Sequence, residues 1–274
     1  MSNATTNTAK RLTMAEQADK HELYEESVQS ADEEVEFLSK TFKELRNREP
    51  DLLREDFCGT ANVACAWVAD HDRHRAIGLD INAEVLEYGR RKHVGALKEE
   101  QRQRVELIES DVRTVTPEKA DLAVAFNFSY WIFEDRATLR GYFENIRESL
   151  VDDGLFFLDA YGGTESQEES KEKTKYDDFT YIWHQADFDP FTSHMQCYIH
   201  FKFPDGSKMK RAFSYTWRLW SLPEIRELLE EAGFNKVTFY WEEEDEDGEG
   251  SGEFFPAERG ESDPSWVAYI VAEK

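Results

Sequence analysis

Cysteine is scarce in this sequence, with only Cys58, Cys65 and Cys197. An odd number without paired spacing gives neither a disulfide framework nor a metal-ligand pattern, and it points to a reducing compartment. No apolar run approaches the roughly 20 residues of a membrane span, and the polar N-terminal stretch lacks the apolar centre of a secretion signal. A soluble, cytoplasmic protein with no membrane partner and no bound metal is therefore expected. Cationic side chains are also in short supply: 33 Lys and Arg face 58 Asp and Glu, for a formal charge of −25. Such a chain repels phosphate backbones, which argues against a nucleic-acid substrate and for a neutral or cationic small molecule. The Gly-x-Gly-x-x-Gly signature of a nicotinamide-binding turn is absent as well. What remains is ample for folding, since 274 residues with 40% apolar and 14% aromatic side chains can bury a large core.

The stretch that organises the chain is LLREDFCGTANVACAWVAD, residues 52–70. It reads as a short strand ending in an acid, a tight turn at Gly59, and a helix of small and apolar residues. A helix N-terminus offers free N–H groups, and a residue without Cβ lets a ligand approach the backbone. A second strand, 75–79, ends at Asp80, 21 residues beyond Gly59. That is the spacing at which a carboxylate accepts the two hydroxyls of a ribose. Asn82 also has the chemistry of a cap for the following helix. A third strand, 105–109, leads to Asp111, which can serve as a ligand or form an Asx turn. A fourth, 121–126, runs into Asn127-Phe128-Ser129-Tyr130. Cys58 and Cys65 read as small packing residues, with the Cys58 backbone inside the turn.

In this order the residues resemble the class I methyltransferases that use S-adenosylmethionine, over roughly 32–274. The family's first turn reads acidic-x-Gly-x-Gly-x-Gly; here Glu55 or Asp56 is the acid, and Phe57 and Ala61 replace the outer glycines. The resemblance implies a donor site made of Glu55, Cys58, Gly59, Thr60, Asp80, Ile81 and Asn127. It also implies that Asp111 meets the adenine amine and that Val112 offers its N–H to the ring. Tyr24, in the segment before the domain, resembles the tyrosine that folds over the cofactor in small-molecule methyltransferases. Asn127 to Tyr130 partly echoes the Asn-Pro-Pro-Tyr of amino-group methyltransferases acting on adenine or glutamine. Both prolines are missing, and with the acidic charge a nucleobase acceptor is not expected.

The implied fold is α/β: a doubly wound, Rossmann-like seven-stranded sheet with an antiparallel last strand, plus an inserted antiparallel sheet. The chain divides into an N-terminal segment and capping helix (1–50), a cofactor-binding core (51–163), an inserted lid loop and antiparallel sheet (164–220) and the C-terminal part of the core (221–274). Residues 1–18 show no hydrophobic period and are expected to be loosely attached. Val35, Leu38, Phe42 and Leu45 make a helical stripe, with Ser30 and Glu33 at capping-box spacing. Residues 164–178, a charged run, are expected to form a mobile lid without fixed structure. Three strands follow at 180–185, 196–203 and 208–220, with a hairpin turn at Pro204-Asp205-Gly206. In the family such an insert roofs the active site and can form a homodimer. Ser221 and Glu224 cap a helix that Gly233 stops. Residues 234–241 and 266–271 read as a terminal hairpin around the acidic loop 242–249.

A sulfonium methyl is already electrophilic, so the reaction needs an aligned nucleophile more than an acid. Positioning alone can lower the barrier by roughly 7–11 kcal/mol. Candidates near the strand ends are Tyr130, Tyr161, His184 and Arg218. Each also has a purely structural reading: packing for the tyrosines and His184, stacking for Arg218. The faces of Tyr24, Trp131, Tyr215 and Trp217 would favour a cationic nitrogen. The expected activity is methyl transfer to a small amine or hydroxyl by in-line displacement. The competing readings are a non-catalytic adenosine- or S-adenosylmethionine-binding protein and a nicotinamide-dependent oxidoreductase.

Overall fold

Parallel strands covered on both faces need apolar side chains in unbroken runs, and the central strands supply them. The computed structural model describes residues 12–244 and 250–274. Its N-terminal part holds α1 (Met14–Gln17), α2 (Lys20–Val28) and α3 (Ala31–Arg46). The first half of the core follows as β1 (Leu52–Asp56), α4 (Asn62–Asp70), β2 (Arg75–Asp80), α5 (Ala83–Gly89), α6 (Glu99–Arg102), β3 (Val105–Glu109) and β4 (Ala120–Ala125). After α7 (Arg136–Ser149) and β5 (Leu150–Gly162) the chain leaves the core for β6 (Ser170–Lys175), β7 (Thr180–Asp189), β8 (His194–Lys202) and β9 (Lys208–Arg218). It returns through α8 (Leu222–Glu231), β10 (Lys236–Glu244), β11 (Gly250–Ala257) and β12 (Trp266–Glu273).

The large sheet has the order β11-β10-β12-β5-β4-β1-β2-β3. β1 to β5 pair in parallel, and β12 lies antiparallel between β5 and β10. The doubly wound sheet with an antiparallel terminal pair is thus present, with one strand more than expected. That strand, β11, pairs with β10 at the sheet edge and occupies what the sequence suggested was only a loop. Residues 245–249 of that acidic loop lie outside the described residues, as do residues 1–11.

One face of the sheet is covered by α3 and α4, where Leu38, Phe42 and Trp67 are fully buried. The other is covered by α7 and α8, through Tyr142, Phe143, Ile146, Leu228 and Leu229. Among the described residues no helix is long and apolar enough to cross a membrane.

The second sheet, β6-β7-β8-β9, is antiparallel. Its inner face packs Ile199 and Phe201 against Leu23 of α2. Residues 164–178 differ from expectation: Thr164–Gln167 is a short 3-10 helix and β6 pairs with β7 along its length. In β6 three lysines alternate with Glu172 and Thr174 and the strand is exposed from Lys171 on, which gives a charged edge strand the composition of a loop. Residues 12–18 are not loose either. Thr13 caps α1 in a capping box, and the Met14 and Ala15 N–H groups donate to Asp205 and Ser207 in the β8–β9 turn. Ser30 precedes α3 without a side-chain cap bond, its backbone (φ −123°, ψ 66°) lying outside the extended region that a capping residue ordinarily adopts. The Ser221–Glu224 box is present, and Gly233 ends its helix at φ 95°.

Candidate active site

The β1–α4 turn is built on left-handed backbone. Phe57, Gly59 and Ala61, the positions of the family's three glycines, have φ of 54°, 54° and 59°. A non-glycine residue there costs about 1–2 kcal/mol. Packing offsets this at Phe57, whose ring lies 5.9 Å from Phe133 and 6.0 Å from Tyr142. Gly89 completes the turn from below, since a Cβ on it would collide with the Thr60 carbonyl.

Two carboxylates fix the turn. Asp80 accepts the Gly59 N–H at 3.0 Å and the Asn82 N–H at 2.8 Å. Asn82 itself caps α5, so Asp80, two residues before it, is not the cap and lines the cavity instead. Glu55 accepts the Ala64 N–H at 2.9 Å, and burial pushes its carboxyl well above the usual range. Asp56 is committed to the core: it pairs with Arg54 at 2.8 Å and accepts the Tyr142 hydroxyl at 2.8 Å. Glu55 is the freer of the two candidates for the first acidic position. From the N-terminal part, Glu25 accepts the Thr60 hydroxyl at 2.7 Å and meets His93 Nε2 at 2.7 Å, tying α2 to the turn. The Cys58 thiol, buried beside these acids, is pushed well above its ordinary range.

Above the turn opens a cavity of about 340 Å³, lined among others by Tyr24, Glu34, Glu55, Gly59, Asp80 and Asn127. A second, of about 210 Å³, lies under the inserted sheet and is lined by Tyr161, Glu172, Tyr181, Trp183, Gln185 and Tyr215 among others. Tyr24, Asn127, Tyr215 and Trp217 wall both. Asn127 and Phe128 sit at that junction with φ of 58° and 55°. Asp159 holds them there, accepting their N–H groups at 2.7 and 2.9 Å. Burial pushes the Asp159 carboxyl up to about 7.

The structure thus gathers Tyr24, Glu55, Cys58, Gly59, Thr60, Asp80 and Asn127 around one cavity. It does not bring Ile81, Asp111 or Val112 to that wall. Ile81 points outward, 74% exposed. Asp111 accepts the Arg113 backbone N–H at 2.9 Å and pairs with the Arg113 guanidinium at 2.5 Å, which is the Asx-turn alternative. Val112 is buried, and its carbonyl accepts from Arg54.

Of the reactive candidates, only Tyr161 lines the smaller cavity. Tyr130 is fully buried and its hydroxyl donates to the Asp159 carbonyl, because the 3-10 turn at Ser129–Ile132 rolls it into the core. Trp131 is likewise fully buried and faces neither cavity. His184 alternates with the inward-facing Trp183 and Gln185, so it lies on the outer face of the inserted sheet, with Nδ1 3.2 Å from His200 Nε2. Partial burial and the nearby Lys171 and Arg211 lower its pKa. Arg218 stacks 3.7 Å over Trp220 and bonds Glu224 and the Glu134 carbonyl, which makes it a brace for α8.

Glu34, Asp159 and Trp183 are absent from the sequence-based site. Glu34 was accessible to pattern reading, since it stands at i, i+4 and i+8 with Leu38 and Phe42 on the buried stripe of α3. Asp159 continues the apolar run of β5 and is the buried one of that strand's three acids, Asp152 and Asp153 being exposed.

Residues 58–156 match the methyltransferase-domain family. No curated protein matches the sequence. Solved structures do match in fold. One is an S-adenosylmethionine-dependent methyltransferase from Clostridium acetobutylicum, with TM-score 0.68 and 15% identity over 92% of this chain and 96% of that one. Another is an amino pentose methyltransferase from Micromonospora echinaspora, with TM-score 0.64 and 14% identity over 92% and 95%. A sugar N-methyltransferase from Streptoalloteichus matches with TM-score 0.62 and 14% identity over 100% and 98%. Residues 58–156 are thus a match to the methyltransferase domain, and the sheet order around them is the fold shared with these S-adenosylmethionine-dependent methyltransferases.

Proposed function

We propose that this protein transfers the methyl group of S-adenosylmethionine to the nitrogen of a small amine, with the donor above Gly59 and the acceptor under the inserted sheet. The observation that carries the reading is the pair of cavities meeting at Asn127. One is walled by the carboxylate and turn of a nucleoside site, the other by aromatic faces and acids. One structural relative is described as a sugar N-methyltransferase and another as an amino pentose methyltransferase, which supports the same choice here.

The residues present fit the donor, since Asp80 can accept from a diol while its other bond holds the Gly59 turn. The donor supplies a methyl group activated by its sulfonium. As the N–C bond forms, the C–S bond breaks and sulfur keeps the electron pair; the new ammonium then loses a proton. This chain's part is placement. Asn127 is rigidly presented between the cavities by Asp159, and Tyr24 closes the junction from α2. Tyr161, Tyr181 and Tyr215 are pushed up by burial, so they stay protonated and act as donors. Glu165 and Glu172 are the carboxylates of the acceptor wall, placed to attract a cationic amine and to take its proton.

On the outer face of the inserted sheet Lys171, Lys210 and Arg211 surround His184 and His200, so a two-fold pairing through that patch would set like charges together.

The test is thermal denaturation with S-adenosylhomocysteine and, separately, NAD. A ligand at 100 times its dissociation constant stabilises by about 2.7 kcal/mol, and only the first should do so. Stabilisation by NAD alone would return the protein to the oxidoreductases. Turnover on a panel of small amines separates an enzyme from a binder. Trp183→Leu should weaken a cationic amine by roughly tenfold, in keeping with a desolvated cation–π contact, while sparing a neutral isostere. Equal losses for the two ligands would remove the aromatic wall from substrate selection.

A further inference from the structure

α3 buries Val35, Leu38 and Phe42, and on the same side it buries a charge. Glu34 is 7% exposed and lines the larger cavity. Its Oε2 is buried with no hydrogen-bond partner among the described residues, while the Ser30 N–H supports the carboxylate. The titratable groups facing it are Asp159 of β5, Glu55 of β1, Tyr24 of α2, Tyr269 of β12 and Glu33 of its own helix, none of them cationic. The cation of that cavity, Lys20, belongs to α2 with its Nζ 5.1 Å over Phe213, and burial beside Lys20 lowers the pKa of His21, favouring its neutral form. A buried carboxylate oxygen with no donor and only like charges around it is costly on its own. It is complementary to a cation that carries N–H groups.

Among the described residues no three His, Cys, Asp or Glu side chains gather as metal ligands. A sulfonium has no N–H to give, and the acceptor cavity does not include Glu34. Resting on the donor reading above, we propose that Glu34 binds the α-ammonium of the donor's amino-acid tail, so that α3 reads whether a bound adenosine compound carries a charged amino acid. The Gly59 turn and Asp80 then recognise the nucleoside, and the N-terminal part recognises the tail. An ammonium offers three donors, enough for the open Glu34 oxygen and a neighbouring carboxylate.

Proton linkage gives this reading a second observable. Burial, with the Asp159 charge next in weight, pushes the Glu34 carboxyl up to about 7. Without ligand the group is largely protonated below neutrality. An arriving ammonium favours the ionised form, so binding releases a proton and tightens as pH rises from about 6 to 8. Asp159, also pushed to about 7, titrates in the same window, so a Glu34 variant is needed to isolate the effect.

The experiment is calorimetric titration of the full chain with S-adenosylhomocysteine and with 5′-methylthioadenosine, which keeps the nucleoside and thioether but lacks the amino acid. A charge-assisted hydrogen bond is worth at least about tenfold, so Glu34→Gln should weaken the first ligand by that factor and the second by less than about twofold. With the wild type near pH 7, buffers of different ionisation enthalpy should report proton release for the first ligand only. This readout stands even if the variant folds poorly. Equal weakening of both ligands, no weakening, or equal proton release overturns the role of Glu34 and leaves the donor site intact. A wild type that binds neither ligand overturns the donor reading and this proposal together.

Discussion

Replacing Arg54 with leucine is expected to destabilise the protein by about 3–5 kcal/mol, the cost of breaking one side of a buried ion pair. Arg54 is fully buried at the centre of β1. All five of its N–H donors are used: two on Asp56, and one each on Ser149 Oγ, the Thr114 carbonyl and the Val112 carbonyl. This guanidinium ties β1 to α7 and to the loop after β3 directly beneath the ligand turn. Its loss leaves Asp56 with only the Tyr142 hydroxyl. Even with Arg54 in place, burial outweighs the guanidinium and raises the Asp56 carboxyl above its ordinary value. Without Arg54 it rises further, and the direction of the pH effect follows. A carboxyl whose folded pKa exceeds its unfolded value destabilises when ionised, so the deficit is largest at neutral pH and shrinks as pH falls through the folded value. Denaturant unfolding at pH 7 and pH 5 measures this. A second variant, Arg54→Leu with Asp56→Leu, should recover part of the loss, because two apolar groups leave no buried charge. A deficit that is the same at both pH values, or no recovery in the double variant, would show that Asp56 is not the source.

The parts readable from sequence are those with a local cause. The β1 turn, the Asp80 spacing, the Ser221 cap and the alternation of β8 each depend on residues a few positions apart. Asp80 reached the cavity because its place at the end of β2 is set by the sheet and the turn together. Asp111 sits at the matching place after β3 yet turns to Arg113, a neighbour two residues away that outcompetes a distant ligand. Tyr130 and His184 failed for different reasons. A 3-10 turn rotated one into the core, and one register step on β7 put the other on the wrong face. Glu34 and Asp159 needed tertiary knowledge: an acid on a buried stripe gives no sign of what it will face until α3 lies across the ends of β1 and β5. β6 and β11 were hidden by composition, because an edge strand rich in Lys and one broken by Gly, Ser and Pro both look like loops.

Asp80→Ala is expected to weaken S-adenosylhomocysteine by roughly 100-fold, since two charge-assisted bonds to a diol at about 1.5–3 kcal/mol each exceed that factor before losses are offset by water. Two effects are folded into the number. The carboxylate would meet the ribose, and it already holds the Gly59 N–H and the Asn82 N–H, so its removal also loosens the turn. Titration with the 2′-deoxy form of the ligand separates them. If Asp80 contacts the sugar, the wild type should lose about tenfold on deletion of that hydroxyl and Asp80→Ala should lose almost nothing, a coupling energy of roughly 1–2 kcal/mol. Asp80→Asn, which keeps one acceptor for the Gly59 N–H, should fall between the two. If the hydroxyl is worth the same in wild type and variant, Asp80 acts only through the backbone of the turn, and the sugar is held elsewhere.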